Sequence, residues 1–93
     1  MPTTLKNEKE ISGIFNALGD PNRLRIFKLL LGPKEPCVSE IARILDLSVP
    51  AISQQLRILE LSGLVRKERR GQMTCYRVKT EDPVVKNILK LTT

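Results

Sequence analysis

Arg66-Lys67-Glu68-Arg69-Arg70 sets four positive charges within five residues, and Arg77 and Lys79 follow shortly after. Cations at this density attract polyanions, and the chemistry open to them is hydrogen bonding and charge neutralisation at phosphate oxygens. On a strand, the same run also serves as a charged edge against aggregation. A second cluster lies upstream, in Ser48-Val49-Pro50-Ala51-Ile52-Ser53-Gln54-Gln55-Leu56-Arg57. On a helix, Ile52, Leu56 and Leu59 fall within about 60° of one another and face a core, while Pro50, Ser53, Gln54 and Arg57 point the other way. An ordinary solvated face mixes both charge signs. This one is polar and nearly free of carboxylates, with Glu60 only at its edge. Serine hydroxyls and glutamine amides at the start of a helix can read base edges in the major groove, where a carboxylate would be repelled by phosphates. Val49 and Ala51 suit a thymine methyl, and Arg57 suits a phosphate. The candidate DNA-contacting set is therefore Ser48, Val49, Pro50, Ser53, Gln54, Gln55 and Arg57, with Arg66, Lys67, Arg69, Arg70 and Gln72 of the basic stretch.

Composition narrows the alternatives. The 93 residues carry a formal net charge of +6, with 16 Lys and Arg against 10 Asp and Glu. Aromatics make up 3%, namely Phe15, Phe27 and Tyr76, too few for binding single strands by base stacking. There is no histidine for acid–base work, no phosphate-binding glycine motif and no nucleophile–base pairing, so no enzymatic activity and no cofactor are expected. The basic residues lack the large apolar face that membrane-surface binding requires. No apolar run approaches the roughly 18 residues of a membrane span, and the N-terminal residues lack a signal-length apolar stretch. The expected location is cytoplasmic, with cysteines reduced by default.

The elements that position these groups follow from periodicity. Residues 1–7 read as a flexible arm. Ile11, Ile14, Phe15 and Leu18 give one apolar stripe on a helix over 8–18. Asp20-Pro21 caps and opens a second helix reaching Leu31, apolar nearly all round and hence expected to be central and buried. A short third helix covers 38–45, and a fourth covers 49–62 with Ser48 as its cap. The period then changes: Leu64–Arg69 and Met73–Lys79 predict two strands around an Arg70-Gly71-Gln72 turn. Asp82-Pro83 opens a last helix with Val84, Val85, Ile88 and Leu89. The expected fold is mainly α with a small β-hairpin, a single winged helix-turn-helix domain over 1–93 ordered α-α-α-α-β-β-α. The helix-turn-helix lies at 38–62 and the wing at 64–79.

A chain this short buries a modest core, so self-association is expected. Ile11, Ile14, Phe15 and Leu18 of the first helix and Val84, Val85, Ile88 and Leu89 of the last are the candidate dimer contacts. The function these readings support is sequence-specific binding to double-stranded DNA; the alternative is a winged-helix module that binds protein.

Three stretches resemble the ArsR/SmtB family of winged-helix repressors: Asp20-Pro21-Asn22-Arg23-Leu24-Arg25-Ile26, Leu47 to Arg57, and Leu59-Glu60-Leu61-Ser62-Gly63-Leu64-Val65, with Gly71, Tyr76 and Arg77 fitting the wing's return strand. The likeness covers about residues 10–90. It implies a homodimer formed by the first and last helices, and repression at an operator relieved by an inducer. A two-fold dimer reads an inverted repeat. Val49 and Gln55 stand where many members have Gln and His. The family's Cys-x-Cys metal pair is here Cys37-Val38-Ser39, and the His-containing site of its last helix has no counterpart, so no metal is expected. Cys37 and Cys75 are left either without a sensing role, as a redox switch, or as a thiolate site shared across a dimer. Strand alternation sets Cys75 opposite Tyr76 and Val78, so Cys75 points outward if those two face the core.

Overall fold

The computed structural model describes the backbone of residues 5–92 and the side chains of residues 8–90. Its elements are α1 (Leu5–Leu18), α2 (Pro21–Leu31), α3 (Val38–Leu45), α4 (Val49–Leu61), β1 (Val65–Arg70), β2 (Met73–Val78) and α5 (Pro83–Thr92). The arm expected over residues 1–7 is corrected at its end, because α1 already begins at Leu5. Residues 1–4 lie outside the described residues.

Local chemistry sets the helix starts. The Asp20 carboxylate accepts from the backbone N–H groups of Asn22 and Arg23 at 3.0 and 3.1 Å. Ser48 Oγ accepts from Ala51 N–H at 3.2 Å. Asp82 accepts from Val84 and Val85 at 2.8 and 3.3 Å. Each cap satisfies first-turn donors that have no partner within the helix. Asp46 ends α3 in the left-handed region, φ 56°, and Leu47 N–H returns to Ala42 C=O at 2.9 Å. That turn swings the chain from α3 into α4 within three residues.

All five helices and the hairpin contribute to one core. α4 supplies Ile52, Leu56 and Leu59, α2 supplies Ile26, Phe27 and Leu30, and Ile41 of α3 lies among them. Truncating a leucine such as Leu56 to alanine in such a site costs about 2–5 kcal/mol. The expectation that α2 is buried all round is corrected: Leu24 and Leu31 are exposed, because α2 lies with one side on the core rather than through it.

α4 ends where Gly63 takes φ +89°, a value L-residues avoid, and the chain turns into β1. The hairpin is antiparallel, in register from Val65 opposite Val78 to Arg70 opposite Met73. Its turn is shorter than expected, only Gly71-Gln72, with Gly71 at φ +62°. Positive φ at the first turn residue matches strand twist and favours glycine there.

Candidate nucleic-acid interface

On α4, Ile52, Leu56 and Leu59 are fully buried, while Pro50, Gln54 and Arg57 are exposed and Ser53 half-exposed. The inward stripe thus fixes the rotation of the helix and turns the polar face, with Glu60 only at its edge, outward. Val49 is exposed at the first turn, beside the capping Ser48. Leu61, exposed at the far end of this face, has no such chemistry.

The hairpin packs alongside. Lys67, Gln72, Met73, Thr74 and Tyr76 line a groove of about 450 Å³ with Val49 and Ser53 of α4 and Val38 and Ser39 of α3. Tyr76 is buried, and burial pushes its phenol up, with the charge of Glu60 adding and that of Arg57 opposing. The phenol therefore stays protonated through the neutral range and ties the wing to α4 as a packed, uncharged ring.

Strand alternation splits the basic run into two sets. Arg66, Glu68 and Arg70 share one face of the hairpin with Arg77. There Arg66 pairs with Glu81, Arg70 with Glu68 at 3.3 Å, and Arg77 with Glu35 at 2.6 Å and Glu68 at 3.3 Å. Hydrogen bonding to Glu35, then the charges of Glu35 and Glu68, raise the Arg77 pKa and hold its guanidinium charged. Lys67 and Arg69 lie on the other face, with Tyr76, and form no ion pair among the described residues. Hence two of the four cations in the 66–70 run are uncommitted, and they lie on the hairpin face whose Lys67 borders α4. Arg66 and Arg70, expected at phosphates, are paired with carboxylates at side-chain exposures of 53% and 40%.

Gln55, also in the expected DNA-contacting set, has an intramolecular partner. Its Oε1 accepts from Arg23 Nη1 at 2.9 Å, while Arg23 Nε donates to Ala17 C=O at 2.6 Å. Gln55 sits near the edge of the core arc and serves α2, leaving the outward face to Gln54. The clamp role of Arg23 was missed from sequence, because nothing in Asn22-Arg23-Leu24 announces the approach of α4.

The dimer set divides. Ile14, Leu18, Val85 and Ile88 are spent on the monomer's own core, at 2%, 9%, 1% and 2% exposure. Phe15 and Ile11 stay exposed on α1, and Val84 and Leu89 are half-buried on α5. Cys75 does not point outward although Tyr76 and Val78 face the core. It is fully buried and disulfide-bonded to Cys37, because the segment before α3 covers that face of the hairpin. The expectation of reduced cysteines is corrected with it.

The profile described as "Bacterial regulatory protein, arsR family" matches residues 20–67, from the α2 cap into the wing. The chain belongs to the ArsR family. It is 37% identical over 87 residues to the HTH-type transcriptional regulator MJ1325 of Methanocaldococcus jannaschii, covering 94% of this chain and 96% of that protein. It is 39% identical over 69 residues to the cadmium resistance regulator CadC of Listeria innocua, spanning 74% of this chain and 58% of CadC. Among solved structures, the homodimeric winged helix-turn-helix DNA-binding domain of Mb0332 from Mycobacterium bovis superposes with TM-score 0.79 at 28% identity, over 99% of this chain and 86% of that one. HlyU from Vibrio cholerae gives 0.78 at 30%, over 96% and 94%. This ArsR-family chain is thus a DNA-binding transcriptional regulator with a winged helix-turn-helix, and no helix among its described residues is long and apolar enough to cross a membrane.

The division of wing charges predicts unequal phenotypes. Lys67→Ala and Arg69→Ala are each expected to weaken binding to every duplex and to lower the salt slope by about one. Arg66→Ala is expected to change the slope little. Anisotropy titrations from 50 to 200 mM salt (on the order of the range where phosphate contacts show) check this.

Proposed function

We propose that the protein is a homodimeric repressor that reads an inverted-repeat operator, with α4 in the major groove and the wing on the flanking backbone or minor groove. The observation that carries this reading is the α4 face itself. Ser53, Gln54 and Arg57 lie on the open side, with no carboxylate among them, and the uncommitted Lys67 lines the adjoining groove. A helix end in the groove supplies base contacts, and the cations supply sequence-independent affinity. The exposed apolar pair Ile11 and Phe15, with Val84 and Leu89, supplies the material for a second copy to cover. A homodimeric relative and relatives named as repressors support the assembly and the sign of regulation.

Selection from a random duplex pool tests the reading, followed by titration of the winning sequence across salt. The expected result is an enriched inverted repeat bound with a steep salt slope. No enrichment, with weak binding only, reduces the protein to a non-specific binder or a protein-binding winged helix. Within the enriched site, Gln54→Ala is expected to cost about 1–3 kcal/mol and to relax preference at particular base pairs. Unchanged preference in that variant removes α4 from the groove.

A further inference from the structure

We propose that Cys37 and Cys75 are a reversible thiol–disulfide site, reacting with low-molecular-weight thiols and disulfides, whose oxidation state sets how firmly the wing tip is held and so tunes operator affinity. The proposal rests on the DNA-binding reading above. Its geometry is specific. Cys37 is the residue before α3, the first helix of the helix-turn-helix, and Cys75 lies in β2, 38 positions later. Cys75 stands opposite Glu68, on the face of Arg66, Arg70 and Arg77 and on the reverse side of the hairpin from Lys67 and Arg69. Toward the hairpin root, Val65, Tyr76 and Val78 are packed into the core. Toward the tip, Arg69, Arg70, Gly71, Gln72 and Met73 are all exposed. The disulfide is therefore the outermost firm anchor of the wing, level with the two uncommitted cations.

The other link across this face is ionic. Glu35, in the left-handed region at φ 45°, aims its carboxylate at Arg77 Nη2 at 2.6 Å and Arg70 Nη2 at 3.6 Å. These side chains are more than a third exposed, and pairs of that kind contribute little. Reduction replaces the bond by two separate thiols, which need more room than a bond allows, in a place where neither sulfur-bearing side chain is open to solvent. The segment before α3 and the outer half of the hairpin then lose their covalent tie.

The chemistry balances as thiol–disulfide exchange. Once the segment before α3 parts from the hairpin and exposes the sulfur, the Cys37 thiol gives its proton to the medium and its thiolate attacks one sulfur of a small disulfide, RSSR, expelling RS⁻ and forming a mixed disulfide. The Cys75 thiol gives its proton to the medium and its thiolate displaces the second RS⁻. Two protein thiols are oxidised and RSSR is reduced to two RSH; two equivalents of thiol reverse the process. A tethered wing presents Lys67 and Arg69 already ordered, whereas an untethered wing loses freedom on binding DNA, so the oxidised form binds more tightly.

The test uses the full chain in buffers of graded glutathione to glutathione-disulfide ratio. Disulfide content is read by thiol alkylation and mass, and affinity by anisotropy with the selected duplex. Affinity is expected to weaken about three- to tenfold as the disulfide fraction falls, with amide exchange at residues 67–75 accelerating in step. Cys37→Ser and Cys75→Ser are expected to hold the weaker affinity in every buffer. Because the wild-type titration is itself decisive, a variant that folds poorly does not weaken the test. Affinity independent of disulfide content, tighter binding by the reduced form, or no disulfide at any ratio each overturns the switch while leaving the DNA-binding reading intact. An oxidised protein that binds no duplex at all removes the operator reading, and the proposal with it.

Discussion

Phe15→Glu is expected to convert the protein to monomers and to lower affinity for a two-half-site operator by about two to four orders of magnitude, while leaving affinity for a single half-site nearly unchanged. Phe15 is 48% exposed and Ile11, one turn earlier on the same side of α1, is 36% exposed. Neither is needed to fill the core, where α1 sends Ile14, Ala17 and Leu18. In a two-fold interface the substitution enters twice, setting two carboxylates in a region that must lose water to form. Ile14→Ala is the control, because Ile14 is 2% exposed and its truncation costs about 2–5 kcal/mol of folding stability. Sedimentation velocity and melting curves separate the two effects: Phe15→Glu changes mass with little change in melting, and Ile14→Ala does the reverse. A Phe15→Glu protein that remains dimeric with full operator affinity places self-association elsewhere, with exposed Leu24 and Leu31 of α2 as the next apolar candidates.

What was legible in the sequence is what is decided within a few residues. Asp20-Pro21, Ser48 and Asp82-Pro83 announce helix starts because a cap acts on amides two or three positions ahead. The inward rotation of α4 follows from Ile52, Leu56 and Leu59 alone. The rest depends on segments that meet only after folding. Lys67 and Arg69 part from Arg66 and Arg70 by simple alternation, which the sequence does contain, but the partners that occupy the second pair include Glu35 and Glu81 from outside the hairpin. Cys75 follows its strand period faithfully and is buried all the same, since the chain before α3 returns to cover it. The stripes of α1 and α5 contain both core and surface residues, and periodicity cannot divide Ile14 from Phe15. Gln55 shows the limit at one residue. It reads from sequence as one more polar residue for the groove, and only folding shows that Arg23 of α2 meets its amide oxygen.

Arg23→Met is expected to lower the melting temperature by roughly 10–20 °C, the effect of about 2–3 kcal/mol in a domain of this size. The guanidinium serves two acceptors at once. Nε takes Ala17 C=O, one of the last carbonyls of α1 and hence without a partner inside that helix, and Nη1 takes Gln55 Oε1 on α4. Methionine fills similar length but leaves both oxygens unserved in a partly buried place. Lysine is expected to rescue only part, because one ammonium does not reproduce the planar fork that meets both acceptors. Gln55→Leu removes one of the two bonds and is expected to cost less. In the double variant the losses are expected to be sub-additive, since the Arg23–Gln55 bond cannot be lost twice. The clamp joins α1, with its exposed apolar pair, to α4, with its outward reading face. Arg23→Met is therefore also expected to blur the preferred half-site spacing in a duplex library of varied spacers, measured well below its melting temperature. Melting within 2–3 °C of the parent (about half a kcal/mol or less) is the result that would dismiss the clamp. Reduced melting with unchanged spacing preference would confine Arg23 to stability, and leave the orientation of α4 to its buried Ile52, Leu56 and Leu59.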